Sequence, residues 1–339
     1  MRSFMGCASV ALVLACGGAP APGDSDGETA GTSGGATADT TGSASAGTTD
    51  PTGGATDGAG STTTTTTTAP TTDAPTTGGT TTADETGTTT DATTGEPLGP
   101  CDGPRPGPDN TGVPAGVTLV PSGSITVEED GAVIEGLDID GTITILADDV
   151  TIRNVRIRTE DYYPIRYFDE DNVGLVVEDS EIEGLSGNAT AAISFANYTA
   201  RRLDVHGTAD GFKADSNVLI EDCWVHDLSN GEGEHNDGVQ STGGAGVTLR
   251  HNDISGASNA AVQTGDLGGA TIDLTLECNW FDGGGWTLNI RGEGDTVPMG
   301  TQVIDNRFGR GHGYGPWVID DPNPVISGNV YDDDDTPIP

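Results

Sequence analysis

Two short segments of this sequence gather the side chains best suited to acid–base chemistry. Lys213 is the only lysine in the chain and follows Asp210 by three positions, while His235 precedes Asp237 by two. A lysine or histidine whose pKa is tuned by neighbouring carboxylates can remove a proton as a general base. We therefore predict Lys213, His235 and Asp237 as catalytic residues. The alternative for Lys213 is an exposed ion pair with a nearby aspartate, which contributes less than about 1 kcal/mol.

Asp210 and Asp237 stand at equivalent places, because each precedes a glycine, a hydrophobic residue and a polar residue. Two carboxylates about 5 Å apart on neighbouring strands repel, so they must share a proton or bind a cation. Acid–base chemistry by the pair and a Ca²⁺ site formed by Asp210 and Asp237 are both open. The structural alternative is a turn in which the aspartate accepts backbone hydrogen bonds and the glycine has a positive φ. His235 is then a proton shuttle, a partner of Asp237 or a solvated turn residue.

A row of outward-facing residues is expected along the same part of the chain. Its members are the central residues of short, mostly apolar segments: Ser194, Lys213, Gln240, Gln263, Asn289 and Val318. Amide and amine side chains at strand spacing suit a sugar chain, so Gln240, Gln263 and Asn289, together with Arg291, are predicted to bind substrate. A solvated polar face is the alternative.

An eight-residue pattern, mostly apolar at its first, third and last positions, identifies the elements that must carry these side chains. Its nine copies are residues 132–139, 150–157, 175–182, 198–205, 218–225, 247–254, 274–281, 301–308 and 324–331. Alternating apolar residues indicate strands, and the intervening Gly, Asn and Asp indicate turns. Repeats of this length without helices predict a coil of parallel strands, in which each turn rises about 4.8 Å.

The sixth position of the pattern is asparagine in four successive copies. These residues are Asn252, Asn279, Asn306 and Asn329. Buried amides stacked at strand spacing can hydrogen-bond to one another and to turn backbone. We predict that the four asparagines form a structural ladder and play no catalytic role.

This combination of strand and asparagine repeats, from about residue 115 to residue 331, resembles the right-handed parallel β-helix proteins of the pectate-lyase-like superfamily. The resemblance implies an all-β domain, a single-stranded right-handed parallel β-helix of about nine coils. It implies a polysaccharide ligand but no particular reaction, because this fold hosts lyases, hydrolases, epimerases and adhesins.

Three functions follow from the resemblance. The first is a lyase acting on uronic-acid polymers, with Lys213 or His235 as the base and Ca²⁺ held by Asp210 and Asp237. Such lyases pair a lysine with an arginine from the neighbouring coil, and this sequence has Gln240 there instead. The second is a surface carbohydrate-binding or adhesive module without turnover. The third is a glycoside hydrolase using Asp carboxylates, although only parts of the polygalacturonase motifs occur here.

The chain is divided by composition. Residues 1–16 resemble a lipoprotein signal peptide with a lipobox ending in Cys16, which predicts lipidation of Cys16 and export to a bacterial membrane or cell surface. Residues 17–100 are rich in Thr and Gly and predict a long disordered stalk, and residues 101–339 are the predicted β-helix domain. Membrane contact is expected only through the lipid, and a monomer is expected. The net charge of −40 excludes nucleic acid as a partner.

Three cysteines fall in the predicted domain. Cys223 and Cys278 lie two coils apart and at adjacent positions of the pattern, which point to opposite faces. Cys101 is expected near the N-terminal end of the rod, where neither of the other two can reach it. The sequence therefore predicts no disulfide, with Cys223 as a small core residue.

Overall fold

A computed structural model describes residue 99 and residues 101–167, 172–229, 235–265, 269–292 and 294–339. The predictions of a signal peptide over residues 1–16, of lipidation at Cys16 and of a stalk over residues 17–100 lie outside the described residues, apart from Gly99. Within the described ranges all regular structure is β-strand, as predicted. No helix long and apolar enough to cross a membrane is found among these residues.

Twenty-eight short strands follow one another along the chain. The first ten are β1 (Val120–Ser122), β2 (Ile125–Val127), β3 (Val133–Glu135), β4 (Leu137–Asp140), β5 (Ile143–Ile145), β6 (Thr151–Arg153), β7 (Arg156–Thr159), β8 (Ile165–Arg166), β9 (Leu175–Glu178) and β10 (Glu181–Gly184). The next nine are β11 (Ala191–Ile193), β12 (Tyr198–Arg201), β13 (Asp204–His206), β14 (Asp210–Lys213), β15 (Val218–Glu221), β16 (Trp224–His226), β17 (Asp237–Ser241), β18 (Gly244–Arg250) and β19 (Asp253–Ala257). The last nine are β20 (Ala260–Thr264), β21 (Thr271–Glu277), β22 (Trp280–Gly283), β23 (Trp286–Ile290), β24 (Gln302–Ile304), β25 (Arg307–Phe308), β26 (Gly315–Ile319), β27 (Val325–Ser327) and β28 (Val330–Tyr331).

The strands form three parallel sheets in which each strand pairs with the third strand before it and the third after it. Sheet A contains ten strands, from β1 and β4 to β28. Sheet B contains nine, from β2 and β5 to β26, and sheet C contains nine, from β3 and β6 to β27. The chain therefore winds through sheets B, C and A in turn, which is the predicted parallel β-helix with the predicted number of coils.

Apolar side chains from successive coils stack inside the helix. One such column on sheet A is formed by Ile139, Ile157, Ile182, Val205, Val225, Ile254, Phe281 and Phe308, each no more than 1% exposed. Because side chains alternate between the two faces of a strand, the residues that flank each member point outward. Each fully buried side chain contributes roughly 1.5–3 kcal/mol of transfer free energy, and these columns hold the coils in register.

The turn between sheets C and A has the same backbone in every coil. The fifth position of the repeat has a left-handed φ of 49° to 59° in seven copies, and it is glycine in the other two, Gly136 and Gly328. Asn, Asp and His tolerate this conformation better than most residues, and they fill five of the seven non-glycine positions. The turn therefore directs the sixth residue inward in each coil.

The asparagine ladder is confirmed. The backbone N–H groups of Asn252 and Asn279 donate to the Oδ1 atom of the next asparagine at 2.9 Å, and that of Asn306 does so at 3.0 Å. Each Nδ2 also donates to a strand carbonyl oxygen, as from Asn279 to Leu249 at 2.9 Å. All the hydrogen bonds of these buried amides are thus made inside the protein.

The prediction for Cys101 is wrong, because a disulfide joins Cys101 to Cys278. The N-terminal segment does not start at the end of the rod. It runs along the outside, where Arg105 forms an ion pair with Asp253 at 2.6 Å and the Gly112 N–H donates to the Arg202 carbonyl at 2.9 Å. Cys223 is buried and is the unpaired cysteine of the described residues, as predicted.

Candidate functional site

The outward row lies on sheet B in the predicted register. Lys213 pairs with Gln240, Gln240 with Gln263, and Gln263 with Asn289. Two of the six predicted members are buried rather than exposed: Ser194, which follows the end of β11, is fully buried, and Gln263 is only 5% exposed. Four successive coils therefore each present one amine or amide at equivalent positions. We call these four residues the sheet B row.

Two glycines determine how the acidic residues join this row. An added Cβ atom would lie 2.6 Å from a Val225 methyl at Gly211 and 2.2 Å from an Ile254 methyl at Gly238. Neither glycine has a positive φ, and both lie within strands, so the proposed turn with a positive-φ glycine is wrong here. The absent side chain allows the strand to pack closely at this point.

Lys213 is held between two polar groups. Its ammonium donates to Asp210 Oδ2 at 2.6 Å and to the side-chain oxygen of Gln240, and its side chain is only 16% exposed. The Tyr198 hydroxyl donates to the Lys213 carbonyl from within the core at 2.8 Å, and burial raises the pKa of Tyr198 well above its usual value. Tyr198 therefore remains a neutral donor that fixes the strand behind the site.

Asp210 and Asp237 occupy neighbouring coils and are both buried. Asp210 Oδ1 accepts a hydrogen bond from the Asp237 backbone N–H at 2.8 Å, and its other oxygen binds Lys213. Asp237 accepts from Asn259 Nδ2 at 2.9 Å and from Gln240 Nε2 at 3.4 Å. Protein donors therefore satisfy the oxygens of both carboxylates.

This arrangement does not fit a Ca²⁺ ion. Calcium takes six to eight oxygen ligands, whereas here the Lys213 ammonium already supplies the positive charge beside Asp210. A calcium ion would have to displace Lys213 and break the Asp210 hydrogen bond to the backbone of Asp237. Binding of Ca²⁺ by Asp210 and Asp237 remains a prediction, and the residues around the two aspartates do not supply the oxygen ligands that calcium needs.

The hydrogen-bond network continues along the rod through amides. Asn259 Nδ2 donates to Gln263 Oε1 at 3.3 Å as well as to Asp237, and Asn289 Nδ2 donates to the same Gln263 oxygen at 2.6 Å. Asn259, which the sequence analysis missed, therefore joins the charged end of the row to its amide end. Its position in the sequence, immediately before β20, is the feature that could have identified it.

His235 and Arg291 are not part of this network. His235 is exposed immediately before the buried residues that open β17, and no described residue hydrogen-bonds to its ring. Arg291 is exposed one residue after β23, and its guanidinium forms no ion pair with the described part of the chain. Both lie beside the site with side chains directed to solvent.

An aromatic pair at one end of the row was also missed. Trp286 opens β23 at the position equivalent to Asp237, and its ring centroid lies 5.9 Å from that of Tyr314, which is 77% exposed. Trp286 pairs with Gly315, where an added Cβ atom would approach the indole to 2.6 Å. Counting back three residues from Asn289 in the sequence would have found Trp286. We call Trp286 and Tyr314 the aromatic ledge.

Comparison with known proteins supports the fold. A protein-family model with the description "Right handed beta helix region" matches residues 115–281. The chain folds as a right-handed parallel β-helix. No curated protein and no solved structure matches the sequence. The matched part of the β-helix includes the sheet B row from Lys213 to Gln263, and the fold is compatible with both polysaccharide-active and carbohydrate-binding proteins.

Proposed function

We propose that this protein binds a polysaccharide along the sheet B row, with the aromatic ledge as one end of the binding surface. The observation that carries the proposal is the in-register sequence Lys213, Gln240, Gln263 and Asn289 leading to Trp286. The strand spacing of about 4.8 Å is close to the length of one sugar unit. The coils of Lys213, Gln240 and Asn289 therefore offer partly exposed polar groups at the spacing of a sugar chain, and the buried Gln263 links them.

The chemistry of the row suits neutral hydroxyl groups as well as acidic ones. Amides both donate and accept hydrogen bonds, as sugar hydroxyls do. The exposed ring of Tyr314 beside Trp286 provides a rigid apolar surface on which the C–H face of a sugar can pack. Lys213 lies at the opposite end, where its ammonium, already bonded to Asp210 and Gln240, keeps one N–H for a sugar hydroxyl or a uronate oxygen.

Binding without turnover is favoured over a lyase by the state of Lys213. A general base must have a free lone pair, whereas Nζ of Lys213 donates hydrogen bonds to Asp210 and to Gln240. The alternative base, His235, has no partner among the described residues that would orient it. The lyase of the pectate-lyase-like type is therefore the second candidate, supported by the meeting of Asp210, Lys213 and Asp237 at one end of the row. A hydrolase would need two available carboxylates, and both aspartates are engaged.

The test is a binding assay on the purified full chain. Affinity electrophoresis in gels containing neutral or uronate polysaccharides should show retardation by at least one polymer. Trp286→Ala and Gln240→Ala should reduce the retardation at least about fivefold, since stacking and amide contacts each contribute roughly 1 kcal/mol or more. Arg153→Ala on sheet C is the matched control and should bind as the wild type does. Retardation unchanged in both variants would contradict the proposal.

The same polymers separate the two candidates. Elimination across a uronate linkage produces an unsaturated sugar that absorbs in the ultraviolet. We expect no absorbance increase in the presence or absence of a chelator. Product formation that is lost in Lys213→Met would establish the lyase and assign Lys213 to it.

The location of the protein is a related proposal. Lipidation at Cys16 and a stalk over residues 17–100 would hold the β-helix away from a bacterial membrane, where polysaccharides are accessible. Metabolic labelling with a fatty acid should label the wild-type chain and should not label Cys16→Ser. Labelling of Cys16→Ser would contradict lipidation at this residue.

A further inference from the structure

Three side chains on sheet A converge outside the proposed sugar-binding surface. Glu181 and Glu183 lie on β10, and His206 lies on β13, directly beside Glu183 in the strand register. One ligand atom from each of the three lies within 4.8 Å of the others. The Oε1 atom of Glu181 is 3.6 Å from Nε2 of His206.

The strand alternation explains this convergence. Ile182 and Val205 point into the core and are fully buried, so the residues on either side of each point outward. Neighbouring strands are about 4.8 Å apart, which allows the imidazole of His206 to reach both carboxylates of β10. The side chains of His206 and Glu181 are 22% and 26% exposed, and Glu183 is also partly buried.

Two other carboxylates of sheet A are paired with arginines. Asp138 is paired with Arg156 and Arg158, at 2.8 and 3.3 Å, and Asp253 is paired with Arg105. Arg156 and Arg158 lie in register with the two glutamates of β10, yet both are directed to Asp138 on the preceding coil.

Glu181 and Glu183 therefore form no close ion pair with an arginine or lysine of the described residues, although Arg156 is near enough to attract both carboxylates electrostatically. The two adjacent carboxylates repel each other, and a cation bound directly to both would reduce that repulsion.

The histidine is also held in place from its other side. The ring of His226 stacks on that of His206 with centroids 5.2 Å apart. His226 is in turn fixed by Asp204 at 2.9 Å, by Asp227 at 2.8 Å and by stacking on Trp224. Orientation of a ligand histidine by its neighbours is a common feature of protein metal sites.

We propose that Glu181, Glu183 and His206 bind a divalent transition-metal ion of the Zn²⁺ type. Ligand atoms on one tetrahedral Zn²⁺ ion are about 3.4 Å apart, given metal–ligand distances of about 2.0–2.2 Å. The 3.6 Å separation of Glu181 and His206 nearly meets this condition, and side-chain rotation brings Glu183 into place.

The imidazole ligand selects Zn²⁺ over Ca²⁺ and Mg²⁺, which prefer oxygen ligands only. Three protein ligands leave one position open to water. The site lies on sheet A, whereas the sugar-binding surface lies on sheet B, so the two can be tested separately.

The first test measures metal binding by the full chain after removal of metals with a chelator. Isothermal titration should show one Zn²⁺ ion per chain, and Ca²⁺ at the same concentration should not compete. Glu183→Gln and His206→Gln should each weaken Zn²⁺ binding by more than about tenfold. Glu135→Gln, an exposed glutamate on sheet C, and His235→Gln are the matched controls and should bind as the wild type does.

A second measurement uses the wild-type chain and does not depend on the folding of variants. X-ray absorption of the Zn²⁺-loaded protein should show one imidazole nitrogen and otherwise oxygen ligands. Either a lack of saturable Zn²⁺ binding or binding that is unaffected by both substitutions would overturn the proposal. A coordination shell without imidazole would do the same.

Discussion

Two ladders of side chains run along this rod, one inside and one outside. The inner ladder consists of Asn252, Asn279, Asn306 and Asn329, and each amide is satisfied by its neighbours and by strand carbonyls. The sheet B row has the same spacing and also links amide to amide, but Lys213, Gln240 and Asn289 are partly exposed, and only Gln263 is buried.

The two ladders differ in which groups can replace a hydrogen bond when one of their side chains is removed by mutation. A buried amide has no water to take the place of its partner, so the inner ladder admits little variation. Outside, water or a sugar hydroxyl can take that place. The same register therefore gives structural order on one side of the strand and a binding surface on the other.

The largest expected effect separates the two ladders directly. Asn279→Ala leaves the Leu249 carbonyl and the Asn252 N–H without partners inside the protein. We expect the free energy of unfolding to fall by on the order of 4 kcal/mol, since each unsatisfied buried group costs about 1–3 kcal/mol. Asn289→Ala, an amide of the sheet B row, should lower it by less than about 1 kcal/mol. Urea unfolding of both variants checks this, and equal losses would show that the two ladders do not differ in kind.

The disulfide beside the inner ladder gives the next effect. The double variant Cys101→Ser and Cys278→Ser releases the N-terminal segment from the residue that precedes Asn279. We expect a loss of about 2–4 kcal/mol in unfolding free energy, the usual contribution of a native disulfide. Thermal unfolding of the wild type with and without reductant should reproduce the difference. A midpoint that does not respond to reductant would contradict this prediction.

A smaller effect is expected at the glycine that positions the outer row. In Gly238→Ala the new methyl group would lie 2.2 Å from an Ile254 methyl and 2.5 Å from the Ala261 carbonyl. We expect about 1–3 kcal/mol of destabilisation from overpacking, together with weaker sugar binding because Asp237 shifts. Gly107→Ala, where nothing lies within 4 Å, serves as the control and should change stability by less than about 0.5 kcal/mol.

The smallest effect concerns a pair of charges that belongs to neither ladder. Arg153 and Glu135 form an ion pair on adjacent coils of sheet C, with side chains 44% and 47% exposed. A double-mutant cycle with alanine should give a coupling energy close to zero, and high salt should reduce it further. A coupling as large as the destabilisation by Gly238→Ala would mean that outward contacts between coils stabilise the rod as inner ones do.

Much of the fold could be predicted from local patterns. The eight-residue repeat placed the strands and the number of coils, and the asparagines at its sixth position predicted the inner ladder. The register of the sheet B row was also predicted, but Ser194, which follows the end of β11, and Gln263 were expected to be exposed and are buried. Period-2 alternation cannot show where a strand ends, which explains the error at Ser194.

The site was predicted only in part. The residues Lys213, Gln240, Gln263 and Asn289 follow from the repeat, but the link through Asn259 depends on how a turn folds against β17. The aromatic ledge was missed because Tyr314 lies in a connection between strands, where the repeat carries no information.

What the sequence determined by itself is the register, because each coil repeats the same short pattern and stacks its apolar residues on the coil before. What only the tertiary structure decided is which outward residues meet across coils and what covers them. The path of the segment around Cys101, the ion pair that engages Lys213 and the convergence of Glu181, Glu183 and His206 are of this kind. They depend on contacts between residues distant in the chain, and turns of unequal length between the repeats leave no periodic signal of those contacts.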